Sequence, residues 1–148
     1  LQLLVAGLCI TPLRRLAGLN LLRFRRQIGV LAFVYAALHL AVWVALDLQF
    51  RWAEIGADLV KRPYIILGMV AFVALVPLAL TSNNRAIRAL GGAGWRRLHL
   101  LTYPAVLLAA LHFVWLMKAW ATEPLAYLGA VLVLLGLRLV WGLRAKTA

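Results

Sequence analysis

The sequence predicts an all-α fold, a polytopic transmembrane helix bundle. Three observations carry that reading. Of the 148 residues, 66% are apolar and 14% are charged, against about 45–50% and about 25% in ordinary soluble domains. So much apolar surface in so short a chain has to face lipid or other helices. Four runs, Ile28–Leu46, Tyr64–Leu80, Leu98–Met117 and Leu125–Leu143, have the length of about 17–25 residues that a membrane-spanning helix needs. The segments between them alternate between basic and neutral.

In chain order, Leu1–Leu13 is a fifth, shorter apolar run and reads as the tail of a cut helix. The chain opens Leu-Gln-Leu-Leu without Met, so a first helix or signal is expected upstream, for about six spans in the complete protein. Segment 14–27 holds Arg14, Arg15, Arg23, Arg25 and Arg26 and no acid. Segment 47–63 balances Arg51, Lys61 and Arg62 with Asp47, Glu54 and Asp58. Segment 81–97 holds Arg85, Arg88, Arg96 and Arg97, again without an acid. Segment 118–124 holds Lys118 and Glu123, and the tail adds Arg144 and Lys146. Connections this brief make neighbouring helices antiparallel. The chain 1–148 reads as a single domain.

A net charge of +12 in a soluble protein would suggest nucleic acid. Here the cations sit between apolar runs, so the partner is membrane lipid and not nucleic acid. Eleven basic residues fall in segments 14–27, 81–97 and the tail, and four in segments 47–63 and 118–124. The positive-inside rule puts the first set, with the C-terminus, in the cytoplasm. Trp52, Tyr64, Trp95, Trp115, Trp120 and Tyr127 lie near the expected interfaces, where amphipathic rings prefer to sit. Arg138, about five residues from the inner end of its helix, is expected to snorkel to the headgroups. Cys9 is the single cysteine, which excludes an intramolecular disulfide, a Cys-ligated iron–sulfur cluster and a Cys-rich zinc site.

All three histidines lie in the apolar runs: His39 in one, His99 and His112 in another. Ionisable side chains inside a bilayer are costly and usually functional. His39 stands roughly 16 Å and His112 roughly 21 Å from the cytoplasmic ends of their helices, at 1.5 Å per residue. The two helices run in the same direction, so a flat macrocycle between them could take one axial imidazole from each. His99 lies near the cytoplasmic face, and a spacing of 13 residues leaves it about 140° from His112 on an ideal helix. Pro104 lies between and can change that angle. Stacked haem positions, a metal-ion site and plain packing remain open on this pattern. A zinc site lacks its third ligand, and a proton relay lacks an intramembrane acid.

Several motifs resemble the MsrQ (YedZ) family. They are Ile10-Thr-Pro-Leu, Arg25-Arg-Gln-Ile-Gly with Ala37-Leu-His39-Leu, Arg62-Pro-Tyr-Ile-Ile-Leu-Gly, and Pro77-Leu-Ala-Leu-Thr-Ser. Gly94-Trp-Arg-Arg-Leu-His99-Leu-Leu-Thr-Tyr103 and Leu111-His112-Phe-Val-Trp115 complete the set. The resemblance covers nearly the whole chain. It implies a ferric-reductase-like transmembrane domain and a b-type cytochrome with one or two haems, ligated by His39, His99 and His112. It also implies electron transfer across the bacterial inner membrane, from the quinone pool or a cytoplasmic flavin reductase to the periplasmic molybdopterin subunit MsrP. That partner reduces methionine sulfoxide in oxidised periplasmic proteins. FMN is attributed to the family as well, although no flavin motif stands in these residues. Two-haem relatives with four histidines place a pair on each of two helices, whereas the residue 13 before His39 is Arg26. Arg25 and Arg26 at that level could meet haem propionates, quinone oxygens or flavin phosphate, or simply anchor the inner face.

The resulting expectation is an electron-transfer subunit and not a catalyst on its own. With Ala148 shortly after the last apolar run, the expectation is a chain without an appended FAD or NADPH domain, dependent on separate donors and acceptors. The alternatives are a stand-alone haem reductase of a small acceptor such as ferric chelate, and a non-redox membrane protein whose histidines pack.

Overall fold

The computed structural model describes residues 1–117 and 121–147, with side chains as far as Gly142. Lys118 and Trp120, and the side chains of Arg144 and Lys146, lie outside the described residues. Among the described residues, seven α-helices follow in order: α1 Gln2–Ala17, α2 Arg25–Val42, α3 Trp52–Lys61, α4 Pro63–Leu80, α5 Asn84–Leu98, α6 Thr102–Leu116 and α7 Thr122–Thr147. Among the described residues, four helical stretches are long and apolar enough to cross a membrane: Leu22–Asp47, Pro63–Leu80, Asn84–Leu116 and Thr122–Gly142.

The centre of the bundle is α6, which packs against α4 on one side and α7 on the other. It can sit there because its inward positions are small or β-branched: Ala105, Val106 and Ala110 are fully buried. Small residues let helix backbones approach closely where the hydrophobic effect gives little drive. Leu8 of α1 with Val131 and Leu134 of α7 closes one side of α6, and Leu75 and Leu78 of α4 close the other. The surface area of 9788 Å² exceeds the about 7500 Å² expected of a compact soluble monomer of this mass. The excess is apolar: Leu31, Leu38, Val70, Val73, Val133 and Leu139 all point outward, as lipid-facing side chains do.

Contacts define the two ends. Arg26 donates to Asn84 Oδ1 at 2.8 Å, joining segment 14–27 to segment 81–97, and Arg15 lies over the Trp141 ring at 4.8 Å. That end carries the arginine-rich segments and no acid. The other end gathers Leu1, Asp47, Arg62 and Glu123 around one cavity.

Two helices lie where the apolar runs show only connections. α3 occupies most of segment 47–63 and rests on α4, with Trp52 70% exposed at its start. The chain enters it through Gln49 and Phe50 at φ 47° and 58°, a left-handed pair that non-glycine residues seldom adopt. α5 occupies segment 81–97, capped by the Asn83 side chain, which accepts from Ala86 N–H at 2.8 Å. It breaks at Gly91, where φ 67° and ψ 158° suit glycine alone.

Arg138 departs from expectation. Its side chain turns into the bundle instead of snorkelling to headgroups. Nη2 donates to the Leu8 carbonyl at 3.0 Å and the Thr11 hydroxyl at 3.2 Å, and Nη1 donates to the Tyr103 hydroxyl at 3.1 Å. Pro12, inside α1, has no N–H to give the carbonyl four residues earlier. A charged donor from α7 takes that place.

Candidate functional site: paired imidazoles in an apolar cavity

Between α2, α4 and α6, with the starts of α1 and α7 at its rim, lies a cavity of about 1010 Å³ lined mostly by apolar side chains. It is at the upper end of the about 300–1,000 Å³ typical of cofactor and ligand sites. His39 from α2 and His112 from α6 face each other in it, with ring centroids 6.4 Å apart and planes inclined at 71°. Two imidazoles on opposite sides of one metal, at a metal–nitrogen distance of about 2 Å, put their ring centres about 6 Å apart. The pair therefore has the spacing of two axial ligands.

The hydrogen bonds set the tautomer of His112. Its Nδ1 lies 2.7 Å from the Tyr64 carbonyl oxygen. A carbonyl only accepts, so Nδ1 carries the proton and Nε2 of the neutral ring keeps its lone pair. A backbone carbonyl behind a ligating histidine orients the ring and strengthens it as a donor. His39 makes no hydrogen bond among the described residues, so both its nitrogens are free for a ligand. No group of three or more His, Cys, Asp or Glu converges among the described residues. A bare zinc ion would lack ligands, whereas the iron of a planar macrocycle brings four of its own.

The sequence order of α2 helps keep its lining residues in line. From Trp43 to Asp47 the helix takes a π turn, which holds more residues than an α turn. His39, Trp43 and Asp47 thus all line the cavity, although an ideal α-helix would rotate the third of them about 80° away.

His99 is not brought to this pair. It begins a 3₁₀ turn between α5 and α6, at the arginine-rich end. Its Nε2 lies 3.1 Å from the Thr81 hydroxyl, and Trp95 stacks on its ring at 3.8 Å between centroids. The Thr81 hydroxyl donates its one proton to the Pro77 carbonyl at 2.6 Å, so towards His99 it accepts and Nε2–H donates. Trp95 Nε1 donates to the Thr81 carbonyl at 2.9 Å. Trp95 thereby joins a partly buried network at the arginine-rich end, where the sequence expects an interface aromatic. Arg25 is exposed at this end, and Arg26 is engaged with Asn84.

Sequence reasoning missed two contributors. Tyr64 acts through its main chain, which no side-chain pattern reveals. Gly68, one turn on, faces the His112 ring, and a Cβ there would come within 2.9 Å of Nδ1. The only signal for it was its place at the end of the Arg62–Gly68 motif.

A polytopic helix bundle with two histidines facing one apolar cavity is the class that the fold and the site define. Comparison with known proteins is specific on this point. The model of the ferric reductase like transmembrane component matches residues 1–110, and the chain belongs to that family. It is similar to the "Protein-methionine-sulfoxide reductase heme-binding subunit MsrQ" of Brucella anthropi, at 47% identity over 95% of this chain and 63% of the relative. The protein of that name in Xanthomonas campestris pv. campestris is 50% identical over 95% of this chain and 64% of the relative. The resemblance read from the motifs thus holds across nearly the whole chain, which spans just under two thirds of the length of these relatives. No solved structure matches the chain.

Proposed function

We propose that this chain is the haem-bearing transmembrane part of a methionine sulfoxide reductase system, an electron carrier and not the site of sulfoxide chemistry. A single observation carries the reading: His39 and His112 oppose each other at 6.4 Å in an apolar cavity, with His112 Nε2 left as a lone pair. A haem b held there supplies a one-electron Fe(III)/Fe(II) couple. The apolar side chains that line most of the cavity would lower the polarity around such a group, and His39 and His112 would tune its potential. The names of the relatives, heme-binding subunits of protein-methionine-sulfoxide reductases, support the same cofactor and system.

Charge supports one orientation in the membrane. The arginine-rich end takes the cytoplasmic side of the inner membrane, with the C-terminus, under the positive-inside rule. The haem ligands then stand in the outer half. The rim at Asp47, Arg62 and Glu123 faces the periplasm, where the molybdopterin subunit MsrP would dock. Electrons enter from quinone or a cytoplasmic flavin reductase. Arg25 and Arg26 are the cations at that level to meet quinone oxygens, a flavin phosphate such as that of FMN, or haem propionates. His99 serves the same cytoplasmic half, either beside the donor site or at a second haem. With Nε2–H donating to the Thr81 hydroxyl, Nδ1 is the nitrogen of the neutral His99 ring that keeps a lone pair.

The test is an optical difference spectrum of detergent-purified protein, dithionite-reduced against oxidised, with pyridine haemochrome quantitation. A b-type spectrum that His39→Ala and His112→Ala sharply diminish is expected. A protein without a Soret band after expression with ample haem would overturn the reading.

A further inference from the structure

The close approach of His112 to α4 requires an explanation that the ligands themselves do not provide. In a helix the side chain of each residue leans over the turn N-terminal to its own Cα. The side chain at position 68 would therefore cover the carbonyl of Tyr64, which is also the helical acceptor for the N–H of residue 68. With glycine there, that carbonyl is open to a second donor, and His112 Nδ1 reaches it at 2.7 Å. A Cβ at 68 would stand 2.9 Å from Nδ1, 3.0 Å from Cε1 and 3.3 Å from Cγ of the ring. These atoms belong to a rigid imidazole already tied by its hydrogen bond, so the ring has to back away and the bond to Tyr64 lengthens. By contrast, a Cβ at Gly29, Gly129 or Gly136, also in spanning helices, would meet nothing within 4 Å.

We propose that Gly68 is a positioning residue for the axial imidazole. By lacking a side chain it seats His112 against the Tyr64 carbonyl, fixes the Nδ1–H tautomer and thereby sets the donor strength of Nε2. Gly68 touches no reacting atom; it acts through His112. The inference rests on the haem reading above.

Loss of the Nδ1–H···O=C bond makes the imidazole a weaker donor and favours the reduced iron. Gly68→Ala is therefore expected to bind haem about tenfold more weakly. At saturating haem it should titrate to a higher midpoint potential, with a changed low-temperature EPR signature for the ferric form. Gly136→Ala should match the wild type in all three readouts. A Gly68→Ala protein with wild-type affinity, potential and EPR signature would overturn the proposal.

Should that variant fail to accumulate, the His112→Gly background removes the ring that the new methyl would strike. Free imidazole added to His112→Gly is expected to restore six-coordinate haem. It should do so about tenfold less tightly in Gly68→Ala/His112→Gly, and equal affinity would refute the role of Gly68. A wild-type chain that holds no haem would instead remove the reading on which the inference stands.

Discussion

Arg138 Nη2 donates to the carbonyl of Leu8 at 3.0 Å, and that carbonyl is the one Pro12 leaves without its helical donor. The two facts are coupled across 130 residues of chain. A proline inside α1 would normally leave an orphaned acceptor, and an arginine inside the bundle would normally leave a charge poorly solvated. Each in part answers the other: Thr11 and Tyr103 take further guanidinium protons, while the buried Nε finds no partner among the described residues.

The coupling gives a double-mutant prediction. Arg138→Met should destabilise the bundle by about 1–2 kcal/mol, the range of a charge-assisted hydrogen bond tempered by the membrane environment. In a Pro12→Ala background, the new N–H of residue 12 serves the Leu8 carbonyl, and the same substitution should cost measurably less. Reversible unfolding in mixed detergent micelles measures the cycle. Additive effects would show that the Leu8 contact carries no energy.

At the candidate site, the two histidines proposed as ligands make separable predictions. His39→Ala opens one coordination position while His112 stays tied to Tyr64. Any haem that this variant retains should therefore be five-coordinate and bind carbon monoxide when reduced, which the wild type should not do. His39→Met supplies a thioether in place of an imidazole and should raise the potential. Carbon monoxide difference spectra and a potentiometric titration read the two outcomes.

The network at His99 predicts a stability effect without a change at the paired imidazoles. Thr81→Val keeps the shape of the side chain and removes the hydroxyl that accepts from His99 Nε2–H. The unpaired donor should cost about 1–2 kcal/mol. Trp95 keeps its bond, because it donates to the main-chain carbonyl of Thr81. The axial signature of His39 and His112 should be untouched, since neither ring contacts Thr81. Thermal unfolding followed at both the protein and the haem bands separates the two effects.

How much of this was legible in the sequence depends on range. The run expected over Tyr64–Leu80 is α4, Pro63–Leu80, because an apolar segment of that length satisfies its own backbone in lipid by forming a helix. The common level of His39 and His112 followed from helix rise and direction alone. α3 and α5 were not legible: both are amphipathic and charged, so they resemble connections when only apolar runs are counted. The inward turn of Arg138 depended on a tertiary meeting with α1, and the roles of Tyr64 and Trp95 on a carbonyl and a ring stack. Such features follow from packing, and a linear pattern does not encode them.

Orientation in the membrane is open to direct test, and the fold supplies the positions. Arg88 lies exposed in α5 at the arginine-rich end, and Glu54 lies exposed in α3 at the end that carries the cavity rim. The Glu54 partner is Arg51, at 2.6 Å on the same exposed helix start, and surface pairs of this kind contribute little to stability. Both positions therefore tolerate cysteine. With the single native thiol, Cys9, replaced by alanine, a membrane-impermeant maleimide applied to intact spheroplasts should label Glu54→Cys and leave Arg88→Cys unlabelled until the membrane is opened. The reverse pattern would place the paired imidazoles in the cytoplasmic half, and the direction of electron transfer proposed here would have to be inverted.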